Sequence, residues 1–525
     1  MGVGHTFAMA LEGLEGLVVR VECDLGLGLP GISVIGMGDA AVVQARDRVR
    51  AALNNSGLQW PGQRVVMSLS PAGVPKTGAG YDLAMVCAML VAKEMGPSTQ
   101  DWMEGTVLVG ELGLDGRLRA VPGVLPIIVA ARRRGFRRVV VPQANAAEAH
   151  QAADMVEGIV VLVADTLLEV VEWMRTHAGL LEVREFISLL GGVEQLGQAA
   201  PSGQEAGDMA DVVSQPEARR AVEIAAAGGH ALLLLGPPGS GKSMLAQRLP
   251  GILPPMSTAE KMEAAALHSI AGQKGNMEGI FAGIRPFVAP HHTVSQAGLI
   301  GGGARPVPGA VSLAHHGVLF IDEIAEVARP VLDTLRVPME NHRVELLRQR
   351  RSVRFPAQFQ LVCAANPCPC GAEFDADCTC PSGARVRYQA KLSGPLRERI
   401  DVFARTRSNK LAVLKEGGEE TTDTIRERVC LADDRARARW RGVDRKKSER
   451  DWVNATVPGT ILRRDFPAED AGMYALQDML RGGGLSQRGI DRALRVSWTL
   501  CDLRGGKQPT IGDVLDAVEL YSVDN

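Results

Sequence analysis

The stretch that most constrains this chain is the apolar run Ala231–Leu235, which breaks into Gly236, Pro237, Pro238, Gly239, Ser240, Gly241, Lys242 and Ser243. The run reads as a buried parallel strand, and Met244-Leu-Ala-Gln-Arg-Leu249 has the apolar spacing of a helix. A glycine-rich loop between a strand and a helix is the setting of a phosphate-binding loop. Glycines let the backbone turn its N–H groups inward around a polyphosphate. Lys242 is then expected to reach the β- and γ-phosphates, and the Ser243 hydroxyl to take a position on Mg²⁺.

With 525 residues the chain should hold several domains, because single cores stop growing near ~250–300 residues. Its 46% hydrophobic and 22% charged residues are those of a folded globular chain. A net charge of -2 excludes a global polycation, so nucleic-acid binding would have to use local patches. The chain start lacks the layout of a signal peptide, and no apolar run reaches the ~18 residues of a membrane span. A cytoplasmic protein without membrane contact is expected. Nine cysteines would stay reduced there, which favours a metal site over a disulfide framework.

Residues 1–190 read as an α/β domain. Val18–Glu22, Gly31–Ile35, Val65–Leu69, Thr106–Val109 and Arg138–Val141 are expected strands; Ala40–Ser56, Asp82–Met95, Leu125–Arg134 and Leu167–Thr176 are expected helices. A linker rich in Gly, Gln, Ala and Ser follows over 191–210. Gly110-Glu-Leu-Gly-Leu-Asp-Gly-Arg-Leu-Arg-Ala-Val-Pro-Gly123, with Pro75-Lys-Thr-Gly-Ala-Gly80 before it, resembles the proteolytic domain of Lon proteases, of the S5 domain 2-like fold. The resemblance implies a Ser–Lys dyad. Here its serine position falls at Gly80, and no lysine occurs from Asp101 to Val170, so the dyad is absent. Lys76 reads as a relic of the fold or a surface charge.

The second domain, expected over 211–405, opens with a helix over Gln215–Gly228 and then the phosphate loop. Gly317-Val-Leu-Phe-Ile321 is a buried strand ending in Asp322 and Glu323. Asp322 suits the Mg²⁺ water shell and Glu323 suits polarising a water for attack on the γ-phosphate. Phe359–Ala365 is a further strand ending at Asn366, placed to orient that water. Residues 406–525 are expected to form a helical lid.

Together these elements resemble the AAA+ ATPases, and more narrowly the magnesium-chelatase-like YifB/ComM family. The residues that carry this are Ala289-Pro-His-His-Thr-Val-Ser295, Leu299-Ile-Gly-Gly-Gly-Ala304, Pro308-Gly-Ala-Val-Ser-Leu-Ala-His-His316, Asn366-Pro-Cys-Pro-Cys-Gly371 and Leu392-Ser-Gly-Pro395. The fold implied is a Lon-like α/β domain, a P-loop AAA+ domain of three αβα layers, and the lid. The resemblance also implies a ring, expected to be a hexamer, that uses ATP and Mg²⁺ at subunit interfaces. Arg399 would act as an arginine finger on the neighbouring γ-phosphate, and Arg488 would reach the nucleotide of its own subunit. ComM-like members imply DNA binding and branch migration in natural transformation. Gly78-Ala-Gly-Tyr-Asp82 stands where the family has a bulkier sequence, which leaves the transformation role open.

Two features bear on DNA apart from the family. Arg343, Arg348, Arg350, Arg351 and Arg354 face a single Glu345 around an expected hairpin, which in a ring would point inward to phosphates. His291 and His292 would line the pore or cap a turn. Separately, Cys368, Cys370, Cys378 and Cys380 form two close pairs whose thiolates can close a tetrahedral zinc site. The rival readings are a chelatase-type motor that inserts a metal into a tetrapyrrole, an ATP-dependent Lon-like protease, and an interaction scaffold.

Overall fold

The computed structural model describes residues 3–36, 40–73, 76, 78–190, 207–273, 276–303, 306–348, 351–391, 394–408, 419–441, 443 and 452–521. Its amino-terminal part is built on an eight-stranded sheet. The spatial order is Leu181–Glu182, Val160–Ala164, Arg138–Pro142, Thr106–Leu108, Val3–Glu12, Glu15–Gly26, Arg64–Ser70 and Gly31–Ile35. The helix Asp82–Leu90 is buried at every residue, which is why its sequence is apolar all round rather than striped. It lies on the first strand so closely that a Cβ on Gly4 would come 2.4 Å from Ala88 O.

The apolar runs locate most of these elements to within a few residues. The sequence reading missed the strands Val3–Glu12 and Val160–Ala164 and the helix Ala146–Met155. Lys76 is also a correction. It is fully buried, with its ammonium donating to Pro71 O at 2.5 Å, and is no surface charge. Pro75 and Thr77 beside it lie outside the described residues, as do residues 191–206 of the expected linker.

The second sheet has five parallel strands in the order Phe287–Val288, Val318–Ile321, Gln360–Ala365, Leu232–Leu235 and Val402–Arg405. The first strand of this sheet in the chain thus lies between the last two. Its leucines are buried or nearly so, because helices cover both faces of a parallel sheet. The helices Thr422–Trp440, Gly459–Arg464, Asp470–Arg481, Gln487–Arg504 and Ile511–Tyr521 complete the chain. A buried histidine joins them to the sheet: His230 Nδ1 is 3.2 Å from Asp401 Oδ2 and Nε2 is 2.7 Å from Thr499 Oγ1.

The helix Thr258–Ile270 links the two sheets. Ser257 and Glu260 form a capping box that satisfies its first N–H groups. On one face Ala264 and Ala265 pack in a cluster with Val124, Ile128 and Ala149 of the amino-terminal part. Gly123 N donates to Ser269 O at 3.2 Å, and the Ser269 hydroxyl donates to Glu148. On the other face Glu263 Oε2 lies 3.2 Å from His315 Nε2 and 2.9 Å from His316 Nε2, just before the strand Val318–Ile321.

Candidate functional site

Parallel strands leave their carboxyl ends on one edge of a sheet, and four of the expected residues meet there. Ser243 Oγ donates to Asp322 Oδ2 at 2.8 Å. Lys242 Nζ donates to Gly236 O at 2.7 Å, Pro237 O at 2.8 Å and Asn366 Oδ1 at 3.1 Å. Burial pulls the Lys242 ammonium below the usual lysine range, and the charges of Asp322 and Glu323 oppose that shift. The helix Lys242–Ile252 begins at this lysine, so its amino end faces the same point. Gly239 and Gly241 hold φ of 76° and 89°, a region that favours glycine, with open space where a Cβ would stand. Gly236 is required differently: a Cβ there would lie 2.0 Å from Thr406 Oγ1.

Glu323 adopts φ 48° and ψ 44°, which a non-glycine residue rarely does, and its N–H donates to Asp322 Oδ1 at 2.9 Å. His292 Nδ1 lies 3.7 Å from Glu323 Oε2, while His291 Nδ1 is 2.8 Å from Thr293 Oγ1. His292 therefore belongs to the surroundings of Glu323, and His291 closes a turn.

Two contributors were not legible beforehand. Thr406, directly after the last strand Val402–Arg405, bonds Ser240 Oγ at 2.6 Å and braces the loop from behind. Tyr388 is buried beside Asn366, Glu326 and Glu323. Burial, with Glu326 and Glu323 nearby, pushes that phenol up to about 12. Neither residue belongs to a motif; both reach the site from segments remote from the phosphate loop.

The arginines stand elsewhere. Arg399 pairs with Glu340, and Arg488 Nη1 is 2.5 Å from Glu398 Oε2. Both line one cavity of about 400 Å³ together with Ala231 and Asp401, the residues that precede two of the parallel strands. That is the opposite edge of the sheet from the phosphate loop. Arg488, expected at the nucleotide of its own chain, thus stands beside Glu398, and its described partner is that carboxylate.

The expected basic hairpin forms, with Arg343–Arg348 antiparallel to Arg351–Pro356. Val344 and Phe355 face inward, while Arg343 and Arg354 are exposed. Arg354 Nε bonds Glu345 Oε1 at 2.6 Å across the pair. The turn between the first two strands of the chain abuts it, since a Cβ on Gly13 would lie 2.4 Å from Arg354 O. Arg350 and the side chains of Arg348 and Arg351 lie outside the described residues. The four cysteines converge, with Cys368 Sγ 3.1 Å from Cys370 Sγ and 3.6 Å from Cys378 Sγ.

Residues 208–414 match the family described as magnesium chelatase, subunit ChlI; residues 21–145 match subunit ChlI of Mg-chelatase, and 419–521 match its C-terminal part. The chain is 44% identical to an uncharacterized protein of Mycobacterium tuberculosis, over 99% of this chain and 98% of that one. It is 35% identical to the competence protein ComM of Haemophilus influenzae, over 97% and 95% of the two chains. The chain belongs to the YifB/ComM family of magnesium-chelatase-like AAA+ ATPases. A shorter likeness joins it to the Lon protease of Mycolicibacterium smegmatis, 30% identical over 27% of this chain and 18% of that one. The fold is thus α/β with a helical carboxyl end.

AAA+ membership points to ATPase activity with ATP and Mg²⁺, and the residues fit both. Left-handed glycines, a buried lysine and a helix amino end form a cradle for a polyphosphate. A hydroxyl and a carboxylate 2.8 Å apart are the hard oxygen donors that magnesium prefers. Among the described residues no helix is long and apolar enough to cross a membrane.

Proposed function

We propose that this chain is a cytoplasmic, ring-forming ATPase, a hexamer, that couples ATP hydrolysis to movement along single-stranded or branched DNA, as in ComM-like branch migration. Its working units are the Lon-like domain 1–190, which lacks the dyad, the ATPase core 211–405 and the lid 406–525. The observation that carries the ATPase reading is the convergence of Lys242, Ser243, Asp322 and Asn366 on one sheet edge.

In this reading Ser243 and Asp322 hold magnesium, which when bound neutralises phosphate charge. Lys242 and the loop N–H groups bind the triphosphate. Glu323 takes the proton of the attacking water at its carboxylate, and Asn366 holds that water in line. Arg399 acts on a neighbouring protomer. Arg488 joins it there, since both arginines share one cavity away from their own phosphate loop. The hairpin arginines 343, 348, 350, 351 and 354 supply cations for a DNA backbone, with His291 and His292 at the entrance to the site. The likeness to a relative named as a competence protein supports the DNA reading. The four cysteines take one zinc, supported by their convergence.

The chelatase descriptions of the matching families favour one second reading, a motor for metal insertion into a tetrapyrrole. One experiment separates the two. The ATPase rate is measured with and without single-stranded and four-way-junction DNA, alongside strand displacement with Lys242→Ala as control. DNA stimulation, lost when Arg350 and Arg351 are both changed to Glu, is the expected result. A rate indifferent to DNA would remove the translocase reading.

A further inference from the structure

Between Asn366 and Tyr388 the chain leaves the sheet, forms the cysteine loop and returns as the helix Ser382–Gln389. The Cys370 and Cys378 sulfurs are 3.7 Å apart, and Cys380 offers a fourth within 4.8 Å of the others. A tetrahedral zinc with Zn–S bonds of about 2.3 Å separates its sulfurs by about 3.8 Å, so these spacings describe one metal-sized cage. Apolar packing within the loop is sparse: its one large apolar side chain, Phe374, is 63% exposed, so a bound metal would add cross-links that a core does not supply.

Three contacts tie this loop to the nucleotide site. Asn366, the acceptor for Lys242 Nζ, stands two positions before Cys368. Gly371, at φ 75°, lies against the phosphate loop so closely that a Cβ would come 2.6 Å from Pro238 Cδ. Downstream, the chain returns to place the buried Tyr388 beside Asn366. The loop thus touches the pocket at its start, middle and end.

We infer that zinc bound by Cys368, Cys370, Cys378 and Cys380 is a structural part of the nucleotide pocket, so that ATP affinity depends on the metal. The inference rests on the zinc reading above and adds a purpose to it. The metal holds the loop closed; the closed loop seats Gly371 on Pro238 and fixes Asn366 between Lys242 and Tyr388. Released, the same loop withdraws the wall of the phosphate loop and the support of Asn366.

The test uses the full chain, prepared from zinc-replete cells, with zinc measured directly and nucleotide affinity read by titration of a fluorescent ATP analogue. One zinc per chain is expected. Cys378→Ser with Cys380→Ser should drop zinc below about half an equivalent and weaken ATP binding at least about tenfold. Gly371→Ala should keep its zinc and still weaken binding, because it spoils the contact with Pro238. Should the cysteine variant fail to fold, stripping zinc from the unaltered chain with a chelator and restoring it reads the same reversible change. Unchanged ATP affinity in folded, zinc-free protein overturns the coupling and leaves the zinc reading intact. Unaltered protein that carries no zinc overturns both.

Discussion

Lys242 Nζ donates to Asn366 Oδ1 across 3.1 Å, joining the loop after one strand to the end of the strand beside it. The lysine also satisfies two carbonyls of its own loop, so a bound polyphosphate must replace partners that are already in place. The cost of burying this ammonium is met by oxygen contacts and by the nearby charges of Asp322 and Glu323.

Separating binding from chemistry is the first expectation. Lys242→Ala should abolish nucleotide binding and hydrolysis together. Glu323→Gln should keep binding and lower the rate of phosphate release by at least about 10²-fold, since it removes a proton acceptor and no phosphate contact. Loss of binding in the glutamine variant would place Glu323 outside the role given to it.

The arginines are expected to act between chains. Arg399→Ala should lower ATPase activity by about 10³-fold, and Arg488→Ala should weaken it in the same assay. Mixing Arg399→Ala chains with Glu323→Gln chains should restore part of the rate, because one supplies the carboxylate and the other the arginine. No recovery in mixed assemblies would argue for action within one chain.

His315 sets a pH dependence on stability. Burial pushes its ring down to about 4, although Glu263 accepts from it. His316 packs beside it and the Gln358 N–H donates to its Nδ1 at 3.0 Å, with Glu260 and Arg285 beyond His316; the bonds from His315 and His316 hold Glu263 well below the usual carboxylate range. Since the folded value is depressed, the unfolded chain binds the extra proton. The stabilisation is complete above pH 6.5 and is lost as pH falls toward 4. Urea unfolding at pH 7 and pH 5 should show about 2 kcal/mol more loss in the unaltered chain than in His315→Gln.

The junction between the two sheets should be sensitive at Glu148. This buried carboxylate accepts from Leu125 N at 2.8 Å and from the Ser269 hydroxyl of the linking helix. Glu148→Ala leaves both donors buried without it and should cost about 2–4 kcal/mol, with Glu148→Gln milder. Thermal unfolding measures the cost. Faster proteolysis between the two parts would place the loss at the junction.

Much of the site could be read before any coordinates. Ala231–Ser243 announces strand, loop and helix because apolar run, glycines and Lys-Ser occur in one local order, and the same holds for Val318–Glu323. The strand Val3–Glu12 was not legible. Its Gly4 and small residues look unlike a strand because a helix backbone, far away in sequence, occupies the space of a side chain. Lys76 looked exposed by its type, and a carbonyl partner allows it to be buried. Thr406 and Tyr388 carry no local signal, since their meaning comes from what lies opposite.

The sequence by itself determined which residues can bind a phosphate, hold a metal or polarise a water, because those capacities reside in residue type and short spacing. Only the tertiary structure decided that Arg399 and Arg488 share a cavity at the far edge of the sheet and that the cysteine loop closes on Pro238. Both depend on strand order and on contacts between segments distant along the chain, which local chemistry does not encode.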